Sequence, residues 1–469
     1  MTFFPKLGDL PERITLANEK SVLPSADYVI VVLNRALRGE DNPVIDAAIA
    51  HANSLDLGIV VYNELDTEIA TASDRLCYFT LGAFRELAIA LVAKNIKCVQ
   101  IIKQAEDRDI LQLFASSAAA IYSDEDYTHW DRAKIQRVLN VASQAVYLVD
   151  AARLVPTRKL PPKLKTTPEF RKAHGTLRED CLNLRKEVWA AELTAINNNI
   201  ALPIEHNFAQ YDDAALKETI AQCNINHNLP ISQSHPPLQT EIKTRLETLK
   251  TSILAKYKWI RNNPALEYST SELSPYMHFG MLSPHQLLAT IEASEVPKSY
   301  TWKFRDEFLT WREWSHYLAF YTPNIHQYNA LPDRAKETLE AHAADERSDL
   351  TTRENIIQGN TVDATWNAAQ KEWLKTGWLH NNLRMYWSKQ ILRFTASPQA
   401  AWELACYIND YISLDGRDPA TYASIQWAFG NGKPGYSEKP IYGLVAPKSD
   451  RAILKREGMK EWIEAKNHP

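Results

Sequence analysis

Three runs, RMYWSKQIL (384–392), NDYISLDGRDP (409–419) and YASIQWAFG (422–430), set an Arg, carboxylates, an Asn and two Trp among apolar residues at helical spacing. Charged groups are costly to bury unless they pair with one another or with a polar ligand. A large flat aromatic ligand with polar edges would account for the mixture.

Upstream of this block the chain stays helical back to about residue 236. SPHQLLATIEAS (283–294) and SPQAAWELACYI (397–408) each offer a Ser N-cap and a Pro at the first helical position. Eleven of the 13 Trp lie beyond residue 250; Trp buries much surface and lines ligand sites as well as cores. Residues 25–150 read differently. YVIVVL (28–33), GIVVY (58–62), IKCVQII (96–102), AAIYS (119–123) and AVYLVD (145–150) are short β-branched runs separated by helix-like segments. Strand and helix in alternation predict a parallel, Rossmann-like sheet covered by helices. No GxGxxG follows the first strand, so a dinucleotide site of that kind is not expected there. Between them, LVPTRKLPPKLKTTPEF (154–170) and NHNLPISQSHPPLQ (226–239) are Pro-rich and polar, read as linker with short helices. The expected organisation is an α/β domain over 1–155, a linker over 156–235 and an all-helical domain over 236–469.

The composition is globular, with 45% hydrophobic and 23% charged residues. No run approaches the roughly 18 apolar residues of a membrane span, and MTFFPKLGDLPER lacks a basic then apolar leader. A cytoplasmic monomer is expected. Five dispersed cysteines show no CxxC or Cys/His spacing, so buried thiols and no metal site are expected. The net charge of −4 argues against a whole-surface nucleic-acid binder. Charge is uneven, however: residues 1–150 carry 14 Lys/Arg against 21 Asp/Glu, and residues 371–469 carry 14 against 10. A polyanion would meet the C-terminal part.

Three constellations stand out. In YTWKFRDEFLTWREWSHYLAFY (300–321), Glu307 and Trp311 are four apart, either an exposed Glu beside a core stripe or a carboxylate beside an aromatic wall. In STSELSPYMHFG (269–280), hydroxylated residues precede a helix, a plain cap or a phosphate site. Arg384 stands one turn before Trp387, and Asp415 is its candidate partner.

Together, ELSPYMHFG (272–280), DEFLTWRE (306–313), DATWNAAQ (363–370), LRMYWSKQIL (383–392) and NDYISLDGRDPATYASIQWAFG (409–430) resemble, in order and spacing, the flavin domain of the photolyase/cryptochrome superfamily. The likeness is to class II cyclobutane pyrimidine dimer photolyases. It is dense from about 250 to 430 and thin in the first domain, where it rests on ALRGEDNP (36–43). The resemblance implies an α/β antenna domain, with a deazaflavin, another chromophore or none, and a helical domain holding FAD. It implies that reduced FAD, excited by light, gives an electron to a pyrimidine dimer flipped out of UV-damaged DNA; a cryptochrome-like photoreceptor is the alternative. Carried over by position, Tyr257, Thr270, Ser271, Leu273 and Ser274 match the phosphate and ribityl contacts, and Asn381, Arg384, Asp415, Gly416 and Arg417 the isoalloxazine side. Asn409 matches the Asn facing flavin N5; Glu307, Trp311, Trp427 and Met385 match the dimer-facing set. Trp387 and Trp366 match the two inner electron carriers.

Two departures are visible. Where the family places a distal Trp this chain has Phe394, too hard to oxidise to carry a hole, so photoreduction is expected to stall or to leave by another route among Trp373, Trp378 and Trp402. The loop NGKPGYSEKP (431–440) lacks the family's lesion-side Arg and offers lysines instead, with Lys433 the candidate. Arg451, Lys455 and Arg456 are the remaining candidates for DNA phosphates.

Overall fold

The five apolar runs form strands, joined by a sixth that the pattern did not signal. A computed structural model describes residues 6–23, 25–104 and 109–468; residues 1–5 of the N-terminal run read above lie outside them. The strands are β1 (Ile14–Leu16), β2 (Tyr28–Val32), β3 (Gly58–Asp66), β4 (Lys97–Lys103), β5 (Ala118–Asp124) and β6 (Val146–Val149), in sheet order β1-β6-β5-β2-β3-β4. All pairs are parallel except β1 with β6. A three-residue edge strand is too short to show a period, and it exists because β6 offers an open edge. On one side of the sheet Ile30, Val60, Val99, Ile121 and Val146 pack with Leu111 and Phe114, all buried.

Asp74–Ala93 is a described helix long and apolar enough to cross a membrane, which no reading of apolar runs anticipated. It carries Arg85 and Glu86 midway, and 67% of its most apolar window is buried. The stretch read as linker with short helices contains a 24-residue helix, Thr167–Ala190. Its start is a capping box between Thr166 and Glu169 with Pro168 in the first turn, so the prolines there open a helix rather than break it. The five cysteines are buried thiols.

Contacts divide the chain into two units. One runs up to Ile231 and adds 236–243 and 276–292; the other comprises 232–235, 244–275 and 293 onward. The second is helical, with no strand among its described residues. Its long helices include Ala364–Thr376, Asn381–Phe394 and Pro398–Ile412. The last starts as read from sequence, with Ser397 accepting from the Ala400 amide and Pro398 in the first turn. Three segments of this unit, Leu249–Ile253, Glu307–Arg312 and Trp427–Asn431, are π-helical. A π-turn adds a residue to the i→i+4 ladder and re-aims the side chains around it, and such turns concentrate at functional sites.

Candidate active site

Arg384 lies on the helix Asn381–Phe394, and its Nη2 is 2.6 Å from Asp415 Oδ1. The same guanidinium donates through Nε to the Leu379 carbonyl at 2.9 Å and through Nη2 to Ser413 Oγ at 3.2 Å. Burial alone would raise the Asp415 carboxyl. The Arg384 charge and hydrogen bonds from Ser274, Ser413 and Arg384 outweigh it and hold the carboxyl below its ordinary value. The pairing expected from sequence is therefore present and ionised, as a buried charge requires.

The Ser274 hydroxyl also accepts from Trp378 Nε1 at 3.1 Å, so the hydroxylated run 269–274 is tied to the ion pair. It does not act as a long helix cap: the helix there is only Ser274–His278, and Glu272 takes a left-handed backbone. Glu272 is 3.2 Å from both His235 Nε2 and Arg245 Nη1. Leu273 is buried, Thr270 and Ser271 are half-buried. Asn381, the first residue of its helix, is exposed; its neighbour Asn382 donates to the Asn262 carbonyl at 2.7 Å.

Asn409 is buried, and its amide donates to the Ala405 carbonyl at 2.8 Å, which fixes the orientation of the side chain on its helix. Gly416 follows four residues after the end of that helix, Pro398–Ile412, where a Cβ would meet the Asn409 carbonyl oxygen at 2.2 Å. Only glycine allows that approach. Arg417 turns the other way in a left-handed conformation, and both its amide and its guanidinium bind Asp410.

The second group gathers around two of the π-turns. Trp311 and Trp427 meet edge to face, 5.3 Å between centroids at 84°, and Trp427 is 42% exposed. Glu307 is 2.9 Å from both Arg261 and Lys303. Arg261 is one turn after Tyr257, whose hydroxyl it engages; burial first, then Glu307, pushes the Tyr257 phenol up. Tyr257 also packs edge-on against Phe304 at 5.0 Å. Met385 is half-buried. Arg261 was not singled out from sequence, although its i, i+4 spacing from Tyr257 was the available signal.

The third group is the buried tryptophans. Trp366 and Trp387 stack at 5.3 Å and 16°, and Phe394 closes edge-on against Trp366 at 5.4 Å. Trp387 Nε1 donates to Gln370 Oε1 at 2.8 Å and Trp366 Nε1 to the Trp387 carbonyl at 3.1 Å. Of the three other candidates, Trp373 is the one in ring contact with Trp387, 5.3 Å at 82°. Trp378 instead packs near His235 and His380, and Trp402 against Phe429 and Tyr328. Trp373 also lies under the Arg384 guanidinium at 5.0 Å and donates to Ser413 Oγ, so it joins the ion pair to the stacked pair.

In the loop after Trp427, Lys433 is exposed and its Nζ lies 5.3 Å from the Tyr436 ring centre. The loop is anchored by Arg334, whose Nη2 donates to the Gly430 and Gly432 carbonyls at 3.0 Å each. Arg451 and Lys455 are exposed, whereas Arg456 is partly buried and close enough to His380 and Lys448 to disfavour their charged forms. Burial first, and Arg456 second, bring Lys448 down to about 8. His380 falls to about 4, mainly through burial. Its Nδ1 accepts from the Asn382 amide, leaving a buried Nε2 with no protein partner; Arg456 Nε is in the same state.

The mostly parallel six-stranded α/β unit and the helical unit are those of the photolyase/cryptochrome architecture. No family model matches the chain. It is 27% identical over 454 residues to a deoxyribodipyrimidine photo-lyase of Methanothermobacter thermautotrophicus, covering 97% of both chains. It is 37% identical over 205 residues to that of Potorous tridactylus, a match spanning 43% of this chain and 38% of that protein. Among solved structures, a class III photolyase from Agrobacterium tumefaciens superposes with a TM-score of 0.64 at 16% identity, over 96% of this chain and 88% of the other. An archaeal photolyase from Sulfolobus tokodaii, solved with two FAD molecules, gives the same score at 16% identity, over 94% and 91%. The chain is thus similar over nearly its whole length to a deoxyribodipyrimidine photo-lyase, and its fold is that of the solved photolyases.

Proposed function

We propose that the protein is a light-driven DNA repair enzyme, of the class II kind, that opens cyclobutane pyrimidine dimers in UV-damaged DNA. The observation that carries this reading is the presence in one helical unit of the ionised Arg384–Asp415 pair and the Trp311–Trp427 corner with Glu307 beside it. The orphaned donors His380 Nε2 and Arg456 Nε, with the hydroxyls of Thr270, Ser271 and Ser274, suit the diphosphate and polar chain of FAD. Arg384, Asp415, Asn381, Asn409, Gly416 and Arg417 would hold its ring system, and Tyr257 and Leu273 its remaining contacts. When bound and reduced, FAD supplies the light-absorbing electron donor.

The protein's own part is to receive and fix the lesion. Trp311 and Trp427 present two apolar ring faces at right angles, which favour a base pair already poorly stacked in the duplex. Glu307 accepts hydrogen bonds and is itself oriented by Arg261 and Lys303. Met385 fills the floor of this space in the same reading. Asp415 neutralises Arg384, so the site offers an oriented dipole rather than a bare cation. Residues 1–155 serve as antenna domain, 156–235 as linker and 236–469 as catalytic domain, in a monomer acting in the cytoplasm. An antenna chromophore, deazaflavin or other, belongs to the same proposal.

The test is repair by chemically reduced protein. Heat should release flavin from the purified protein, and illumination should restore pyrimidine absorbance in UV-damaged oligonucleotides. Flavin without repair would turn the reading toward a cryptochrome-like receptor, which the absence of an Arg from the loop 431–440 would favour.

A further inference from the structure

Outside the site, the face of the helical unit formed by Tyr257–Ile260 and Lys298–Asp306 carries an unusual surface. Trp259, Tyr300 and Trp302 are 58%, 40% and 53% exposed. Exposed large aromatics cost solubility unless they serve a contact. Lys258 is held between two of them, its Nζ 4.2 Å from the centre of Trp259 and 4.5 Å from that of Tyr300, with the Ser299 carbonyl accepting at 3.2 Å. The two rings are 5.3 Å apart at 57°. Lys256 lies 6.0 Å from the ring of Tyr268, itself 46% exposed.

The charge on this face is not cancelled. Asp306 and Glu307 are engaged by Lys303 and Arg261, and Glu267 is hydrogen-bonded by Tyr268. Lys256, Lys258 and Lys298 form no ion pair with any described residue. The result is lysines interleaved with accessible rings, the arrangement that holds single-stranded nucleic acid by phosphate contacts and base stacking. A duplex offers it no free base faces. The face is also continuous with the proposed lesion site: Tyr257 and Arg261 flank Trp259 in sequence, and Glu307 directly follows the second helix.

We propose that Lys258, Trp259, Tyr300 and Trp302 form a docking platform for single-stranded DNA, which holds unpaired nucleotides beside the dimer site. The proposal rests on the DNA-repair reading for its partner, but it is tested on undamaged DNA in the dark. Repair can therefore fail while the platform stands, and the reverse.

The experiment measures binding of a fluorescent oligo-dT and of a matched undamaged duplex to the full-length protein as a function of salt. The double variant Trp259→Ala/Tyr300→Ala should lose roughly tenfold or more in oligo-dT affinity and leave duplex affinity unchanged. Lys258→Gln, which keeps both rings, should lower the salt slope for oligo-dT by about 0.7. Unchanged oligo-dT binding in both variants, or an equal loss for duplex, overturns the platform. So does light scattering showing a wild-type dimer that the double variant dissociates, since the face would then be a self-association surface.

Discussion

Trp366 and Trp387 stack almost parallel, and Phe394, at the position where the resemblance places a further carrier, meets Trp366 edge to face. All three side chains are fully buried. The two indole N–H groups donate to an amide oxygen and a backbone carbonyl, neither of which takes up a proton. In the proposed photoreduction, a hole on this pair would meet phenylalanine beyond Trp366 and no proton acceptor on either indole, which favours its return. Phe394→Trp should lengthen the life of the charge-separated state and speed flavin photoreduction in the presence of an external donor. It should also cost about 1–3 kcal/mol of stability, because a larger ring enters a filled core. Transient absorption and thermal melts check the two halves; an unchanged radical lifetime would mean that electrons leave elsewhere.

Trp373 is the neighbour of Trp387 that the tertiary structure supplies, but it is a poor resting place for positive charge. With an Arg384 guanidinium 5.0 Å from its ring, an effective dielectric of 20 makes a hole there about 3 kcal/mol less favourable, before the opposing Asp415 charge is counted. Trp373→Phe should therefore slow photoreduction much less than Trp366→Phe. Equal losses would show that Trp373 is an obligatory carrier.

Glu307 is held by two cations at a partly exposed position, where ion pairs contribute little to stability, about 0–1 kcal/mol. Its removal matters to a ligand that needs an acceptor. Glu307→Ala should leave the melting temperature within about a degree or two, for less than about 0.5 kcal/mol lost, and reduce repair on the order of tenfold. A large loss of stability with repair intact would assign Glu307 to structure alone.

Acid should weaken the fold before its carboxylates titrate. Burial lowers His51 and His380 to about 4 from 6.5. The unfolded chain takes up these protons as pH falls through 6.5, while the folded chain refuses them until about 4. Stability is thus lost across that window, up to on the order of 3 kcal/mol for each histidine. Denaturant titrations at pH 7.5, 6 and 5 should show falling midpoints at constant slope; a flat series from 7.5 to 5 would contradict the burial of neutral imidazoles.

Gly416 touches the backbone oxygen of Asn409 closely enough to exclude any Cβ. Gly416→Ala should displace the 409–416 turn, cost roughly 1–3 kcal/mol, and weaken flavin retention, measured as flavin per protein after gel filtration. Full retention at unchanged stability would show that the turn shifts freely.

Much of the fold was legible because it rests on local rules. β-branched runs of strand length gave five of the six strands, and Ser-Pro caps gave helix starts such as Pro398–Ile412. The linker reading missed Thr167–Ala190 because a Pro in the first turn starts a helix with the same residue type that marks a loop. The π-turns were not legible at all: Glu307–Trp311 reads as an ordinary α-helical pair, and the extra residue appears only once the turn is packed against Trp427.

The sequence alone determined the motifs that resemble the superfamily, the Arg384–Asp415 pairing and the phenylalanine at 394, because each depends on residue identity at a fixed position. Only the tertiary structure decided which distant residues complete them. Trp373 rather than Trp378 or Trp402 meets Trp387, Arg261 orients Glu307, and Lys258 settles between Trp259 and Tyr300. These contacts arise where helices far apart in sequence pack side by side, and helix packing depends on the whole surface of both partners rather than on any local period.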